Sequence, residues 1–150
     1  MPRTAPKSTP SSRPTRETKT LAPAPKPVLS SRERAQRSAL LALDKKAYDV
    51  SILEITALSS IADYLVLVSG RTDKQVQAIA DSVRQGLKKF GKALDIEGTT
   101  EGKWVVIDYG DVIVHIFQEE LRRYYDLDGL WDKAPQIEVP EETAGERPGE

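Results

Sequence analysis

With 150 residues, 30% of them charged and a formal net charge of −1, the chain has room for one domain and no bulk field to draw it toward nucleic acid or a membrane. It contains no cysteine, which excludes disulfides, thiolate chemistry and the usual structural zinc sites. The longest apolar runs are about five residues against roughly 20 for a membrane helix, and the N-terminus has no apolar signal core, so a soluble cytoplasmic protein with no membrane partner is expected.

Residues 1–31 carry six Lys or Arg, one Glu and seven of the ten prolines, which predicts a disordered basic arm. Such an arm either stays solvated or touches RNA or acidic protein. The prolines oppose the amphipathic helix of an organelle transit peptide. Residues 136–150 carry five Glu and one Arg, which predicts a disordered acidic tail. The folded domain is then expected over 32–135.

Within it, Ser30 and Glu33 are spaced as a capping box, and Ala39, Leu40, Leu43 and Ala47 give the first helix a thin apolar stripe. "YDVSILEIT" and "DYLVLVSG" read as strands; Tyr64 to Val68 is continuously apolar, as in an inner strand covered on both faces. Thr72 is an N-cap with Gln75 at the capping-box position. Val76, Ile79, Val83, Leu87 and Phe90 follow at helical spacing, and Gly91 is a stop. "ALDIEG" predicts a short edge strand, "GKWVVIDYGDVIVHIF" a hairpin, and "QEELRRYYDLDGLW" a short helix with a docking tail. This order predicts an α/β (α+β) domain with a mixed sheet, the second helix serving as a right-handed crossover between parallel strands.

A two-residue Tyr109-Gly110 loop would set Asp108 against Asp111, Ile107 against Val112, Val106 against Ile113, Val105 against Val114 and Trp104 against His115. One face then collects Val105, Ile107, Val112, Val114 and Ile116, which must lie on the helices. The other collects Trp104, Val106, Asp108, Asp111, Ile113, His115 and Phe117. Aromatics beside polar groups resemble the anchor and rim of a protein interface. The competing expectation is that Tyr124, Tyr125 or Trp131 folds back to cover them.

Chemistry finds less support. Asp108 and Asp111 fit turn structure better than a Mg²⁺-binding or proton-sharing pair. His115 has no nucleophile at a recognisable motif. "VSGRTDKQ" leads a strand into a helix, where Gly70 and Arg71 at the helix start could hold phosphate, but the spacing matches neither the Walker nor the dinucleotide fingerprint. It faintly resembles the Gly-Ser entry of nucleotidyltransferases. Those enzymes also need alternating acids on a following strand, and here the two acids are three apart across a turn. No catalytic residue, cofactor or metal is assigned.

"SSIADYLVLVSG", the Glu97-Gly98 step, "WVVIDYGDVIVHIF" and "RRYYDLDGLW" closely resemble, in this order, the Iojap family of bacterial ribosomal silencing factors, over about residues 34–133. The resemblance implies a nucleotidyltransferase-like fold without the transferase's acids. It also implies a non-enzymatic role: binding the large ribosomal subunit through its protein fourteen, blocking the small subunit and lowering translation when nutrients are scarce. It carries partner binding onto Trp104, Asp108, Tyr109, Gly110, Asp111 and His115, most firmly onto Trp104. Asp63, Gly70, Arg123, Tyr125 and Trp131 also match, with fold maintenance as their alternative role; Ala62 and Gly129 depart from the pattern. Self-association, and rRNA contact through the basic arm, are left open. The alternatives are a nucleotidyltransferase-like enzyme using Ser69, Asp108 and Asp111, and an RNA-binding ribosome-assembly factor.

Overall fold

The computed structural model describes residues 28–140. The expectations for 1–27 and 141–150 lie outside these residues. Helix α1 spans Ser31–Leu43, β1 Tyr48–Glu54, β2 Tyr64–Gly70 and α2 Asp73–Leu87, followed by a 3₁₀ turn at Lys88–Phe90. Then come β3 Asp95–Glu97, β4 Trp104–Asp108, β5 Val112–Gln118, α3 Glu119–Tyr125, α4 Leu127–Leu130 and β6 Gln136–Ile137.

The helix starts follow their capping chemistry. Ser30 Oγ accepts from the Glu33 N–H at 3.1 Å, and the Glu33 carboxylate accepts from the Ser30 N–H at 3.0 Å. Thr72 Oγ1 accepts from the Gln75 N–H at 3.1 Å, but the Gln75 amide reaches one residue further back than a capping box requires, to the Arg71 N–H at 2.6 Å. The predicted stripe of α1 is corrected: its buried residues are Ala35, Ser38, Ala39 and Ala42, while Leu40 and Leu43 are only half-buried. Small residues let α1 approach its neighbours closely; Gly86 of α2 lies against Leu41 with no room for a Cβ. Ser38 tolerates burial because its hydroxyl donates to the Arg34 carbonyl at 2.8 Å.

The six strands form one open sheet in the order β3-β4-β5-β2-β1-β6. Only β2 and β5 pair in parallel; the other pairs are antiparallel. Every residue of β2 is buried, as its unbroken apolar run requires. The expected edge strand β3 does sit at the sheet's edge. The other edge is β6: Gln136 and Ile137, placed by composition in the acidic tail, pair with Leu53 and Ile52 of β1.

Two apolar clusters lie on opposite faces. On one, Ala35, Ala39, Val76, Ile79, Val83 and Leu87 of the helices pack against Val66, Val68, Val105, Ile107, Val114 and Ile116. On the other, Leu53, Ile55, Leu65, Leu67 and Phe117 meet Ala134, with Leu121, Leu127 and Trp131 packed against them. The C-terminal segment thus covers the β1–β2 half of the second face.

The hairpin register is corrected by two residues. Asp108 pairs with Ile113, Val106 with His115 and Trp104 with Phe117, and the Tyr109 N–H donates to the Val112 carbonyl at 2.9 Å. A shift of two preserves parity, so the strand residues keep their predicted faces.

Candidate functional site

On the β4–β5 part of the second face, Trp104, Val106, Ile113 and His115 are half-buried rather than enclosed. Trp104 opens β4 and is half-buried. Its ring stacks on Phe117 at a centroid distance of 4.8 Å and 28°, and lies 4.8 Å from Tyr125 of α3 and 5.9 Å from His115. Tyr125 meets Tyr124 edge-on at 5.0 Å. Tyr124 is 78% exposed and Tyr125 49%, so this group of rings opens to solvent. Gly98, at φ +87°, fixes the approach of β4, because a Cβ there would run into the Trp104 carbonyl oxygen.

His115 is tied to this platform. The Trp104 Nε1–H donates to His115 Nδ1 at 3.1 Å, which requires a neutral imidazole carrying its proton on Nε2. Burial pushes the His115 pKa down from its ordinary 6.5 to about 4, so the accepting form persists at neutral pH. Between Trp104 and the turn the face continues through half-buried Val106 and Ile113. On the outer side β3 contributes Asp95 opposite Asp108 and Glu97 opposite Val106, both exposed, while Ile96 between them joins the helix-side cluster. The open face is therefore aromatic and aliphatic with a carboxylate rim.

The predicted site residues divide. Trp104, Asp108 and His115 share the open face, with Gly110 at the turn (φ +91°). Asp108 takes the turn role expected of it, accepting from the Gly110 N–H at 2.8 Å. Tyr109 packs instead with the helix-side cluster, its ring 5.4 Å from the Arg34 guanidinium carbon. Asp111 also leaves the face on which alternation placed it. Arg34 Nε of α1 sits between its carboxylate oxygens, 3.1 Å from Oδ1 and donating to Oδ2 at 3.3 Å. It lies in the loop before β5, where strand alternation does not apply. Of the residues expected to fold back over this face, Tyr125 reaches the Trp104 ring at 4.8 Å, and Trp131 packs against the cluster that contains Phe117.

The enzymatic grouping of Ser69, Asp108 and Asp111 does not assemble. Ser69 pairs with Phe117 and Asp108 with Ile113, four residues apart on β5 and so about 13 Å along the strand. Ser69 instead meets a residue that the sequence reading missed. Arg122 of α3, 8% exposed, donates to Ser69 Oγ at 3.0 Å, to the Asp49 carbonyl, and to both carboxylate oxygens of Asp128 at 3.0 and 2.9 Å. These bonds hold the Asp128 carboxyl below its ordinary range. Asp49 adopts φ +50° at an irregularity in β1, a backbone state that costs energy and that the Arg122 bond compensates. Arg123, matched to the family pattern, points outward to Glu119 at 2.8 Å. A polar Ser69 in an otherwise apolar inner strand was the signal for a buried donor.

Among the described residues no group of three or more His, Asp or Glu is placed to hold a metal ion, and no helix is long and apolar enough to cross a membrane.

Residues 28–150 match the family model described as "Ribosomal silencing factor during starvation". The ribosomal silencing factor of Bacillus subtilis is 42% identical over 97 residues, covering 64% of this chain and 82% of that protein. That of Halalkalibacterium halodurans is 38% identical over 112 residues, covering 74% and 96%. The crystal structure of a Chromobacterium violaceum protein superposes with a TM-score of 0.67 at 32% identity, over 69% of this chain and 88% of that one.

Proposed function

The chain belongs to the ribosomal silencing factor family, and from that premise we propose that its open β3–β4–β5 face docks on protein fourteen of the large ribosomal subunit and blocks joining of the small subunit. The observation that carries the reading is the Trp104 platform: a half-buried ring in contact with Phe117 and Tyr125. A rigid, partly desolvated tryptophan is the commonest kind of interface anchor. The rim of Asp95, Glu97 and Asp108 complements a basic partner, the electrostatic character that steers docking and rejects acidic surfaces. Trp104, Asp108, Gly110 and His115 form the contact, with Tyr109 and Asp111 shaping its turn from behind.

Silencing on this reading requires no bond-making step. A domain of about 100 residues has a radius of gyration near 13 Å, enough to obstruct a subunit interface by occupation. Co-sedimentation with separated ribosomal subunits tests it. The chain should travel with the large subunit and lower the yield of joined ribosomes, and Trp104→Ala should lose both effects while still melting cooperatively. Equal co-sedimentation of parent and variant would move the contact to another surface.

A further inference from the structure

The helix layer carries a second surface with a different chemistry. Residues 82–94, "SVRQGLKKFGKAL", contain four Lys or Arg and no acid, within a chain of net charge −1. They form the end of α2, the 3₁₀ turn and the approach to β3. There Arg84, Lys88 and Lys92 surround a hollow of about 300 Å³ floored by Ala93, Ile96 and Tyr109. All three cations are exposed. Arg84 makes only a long 3.7 Å pair with Asp81, and Lys88 and Lys92 have no ion pair among the described residues. Beside them Arg37 and Lys89 flank Phe90 at 4.9 and 5.3 Å.

Cations at a helix C-terminus also serve the helix dipole. That accounts for Lys88, but not for Lys92 beyond the helix or for a concave floor. The Tyr109 hydroxyl has no hydrogen-bond partner among the described residues, and burial pushes its pKa up to about 12, so the phenol stays a proton donor. Of the turn's acids, Asp111 is paired with Arg34.

We propose that this hollow binds the phosphate backbone of single-stranded RNA, with Arg84, Lys88 and Lys92 on the phosphates and the Tyr109–Ile96 floor against a ribose or base. Cations around a flat aromatic and aliphatic floor fit a chain of phosphates carrying planar groups better than the carboxylates of an acidic peptide. The hollow lies on the helix side of the sheet, so it is separate from the face that carries Trp104.

The test uses the full-length chain and a short dye-labelled oligouridylate, read by fluorescence anisotropy. Binding should weaken with salt along a log–log slope of about −2, the value for three phosphate contacts on a single strand. Lys88→Glu with Lys92→Glu should weaken it by about tenfold or more, because repulsion replaces attraction at two exposed positions. The Lys88→Glu/Lys92→Glu loss should persist in a chain in which every Lys and Arg of residues 1–27 is replaced by Ser, and Trp104→Ala should leave RNA binding unchanged. An unaltered affinity in the charge-reversed variant, or no binding by the parent, overturns the proposal. Tighter binding of a labelled oligoglutamate than of the RNA also overturns it, reassigning the hollow to an acidic protein.

Discussion

Two side-chain groups on the same face of one sheet behave in opposite ways. Around Arg122 the donors find acceptors in Asp128, Ser69 and Asp49, and the guanidinium is almost fully withdrawn from water. Around Trp104 the rings contact one another yet stay partly exposed, tied by one N–H bond to His115. The first group joins α3 to β1 and β2, and its contacts are internal. The second offers unspent apolar surface held in a fixed geometry. A buried charge with every partner supplied marks a fastening of the fold, whereas a partly exposed aromatic group is the surface proposed above for docking.

The largest effect should come from the fastening. Arg122→Ala removes the partner of Asp128 and strands the Ser69 and Asp49 groups, which should lower stability by about 3 kcal/mol in urea unfolding, a little under the loss for a fully buried pair because Asp128 is partly exposed. Large-subunit binding should then fall only in proportion to the unfolded fraction. A loss of binding at full folding would erase the distinction between the two groups.

Acid should act next, through His115. Its folded pKa of about 4 lies below the ordinary 6.5, so the unfolded chain takes up the proton first. Stability is therefore fully present above pH 6.5 and declines as pH falls toward 4, by on the order of 3 kcal/mol in all. Urea midpoints across this range, compared with those of His115→Gln, isolate the contribution; an identical slope in the variant would assign it to other groups.

Trp104→Ala should cost binding on the order of 2 kcal/mol, as expected for an aromatic anchor. Because the ring packs on Phe117 and Tyr125, a stability loss of about 1 kcal/mol should accompany it, less than for a fully enclosed tryptophan. Parallel melts and subunit sedimentation read both numbers, and a larger loss of stability than of binding would place Trp104 with the fastening. The smallest effect belongs to Arg123→Ala. Its pair with Glu119 is exposed and within one helix, so the urea midpoint should not move.

The elements and the two faces of the hairpin were legible in the sequence because strand alternation survives a register error of two. The register itself was not legible, because the Tyr109–Val112 hydrogen bond and the Asp108–Gly110 contact make a longer connection than the Tyr109-Gly110 pair suggests. Trp104 and His115 were found as neighbours on one face, but the aromatic contact from Tyr125 depends on where α3 docks, which no local pattern encodes. Arg122 was overlooked in "RRYY" because adjacent arginines look alike until one faces Ser69 across the sheet. In α1 the large Leu40 and Leu43 drew attention from the small residues that the close helix packing selects.

The parallel pairing of β2 with β5 joins residues 48 positions apart, from Tyr64 with Val112 to Gly70 with Gln118. On a chain made from its N-terminus, β2 is complete long before its central partner exists. Contacts of such wide separation must close a long loop before they return any stabilisation, which slows folding. Until β5 emerges, one edge of the most apolar strand stays unpaired, and an unpaired apolar strand is the form in which a nascent chain aggregates. A domain wired this way matures only near the end of its own synthesis. Translation arrested between β2 and β5 yields a fragment that lacks the sheet's central pairing and also the β5 part of the surface proposed to silence ribosomes.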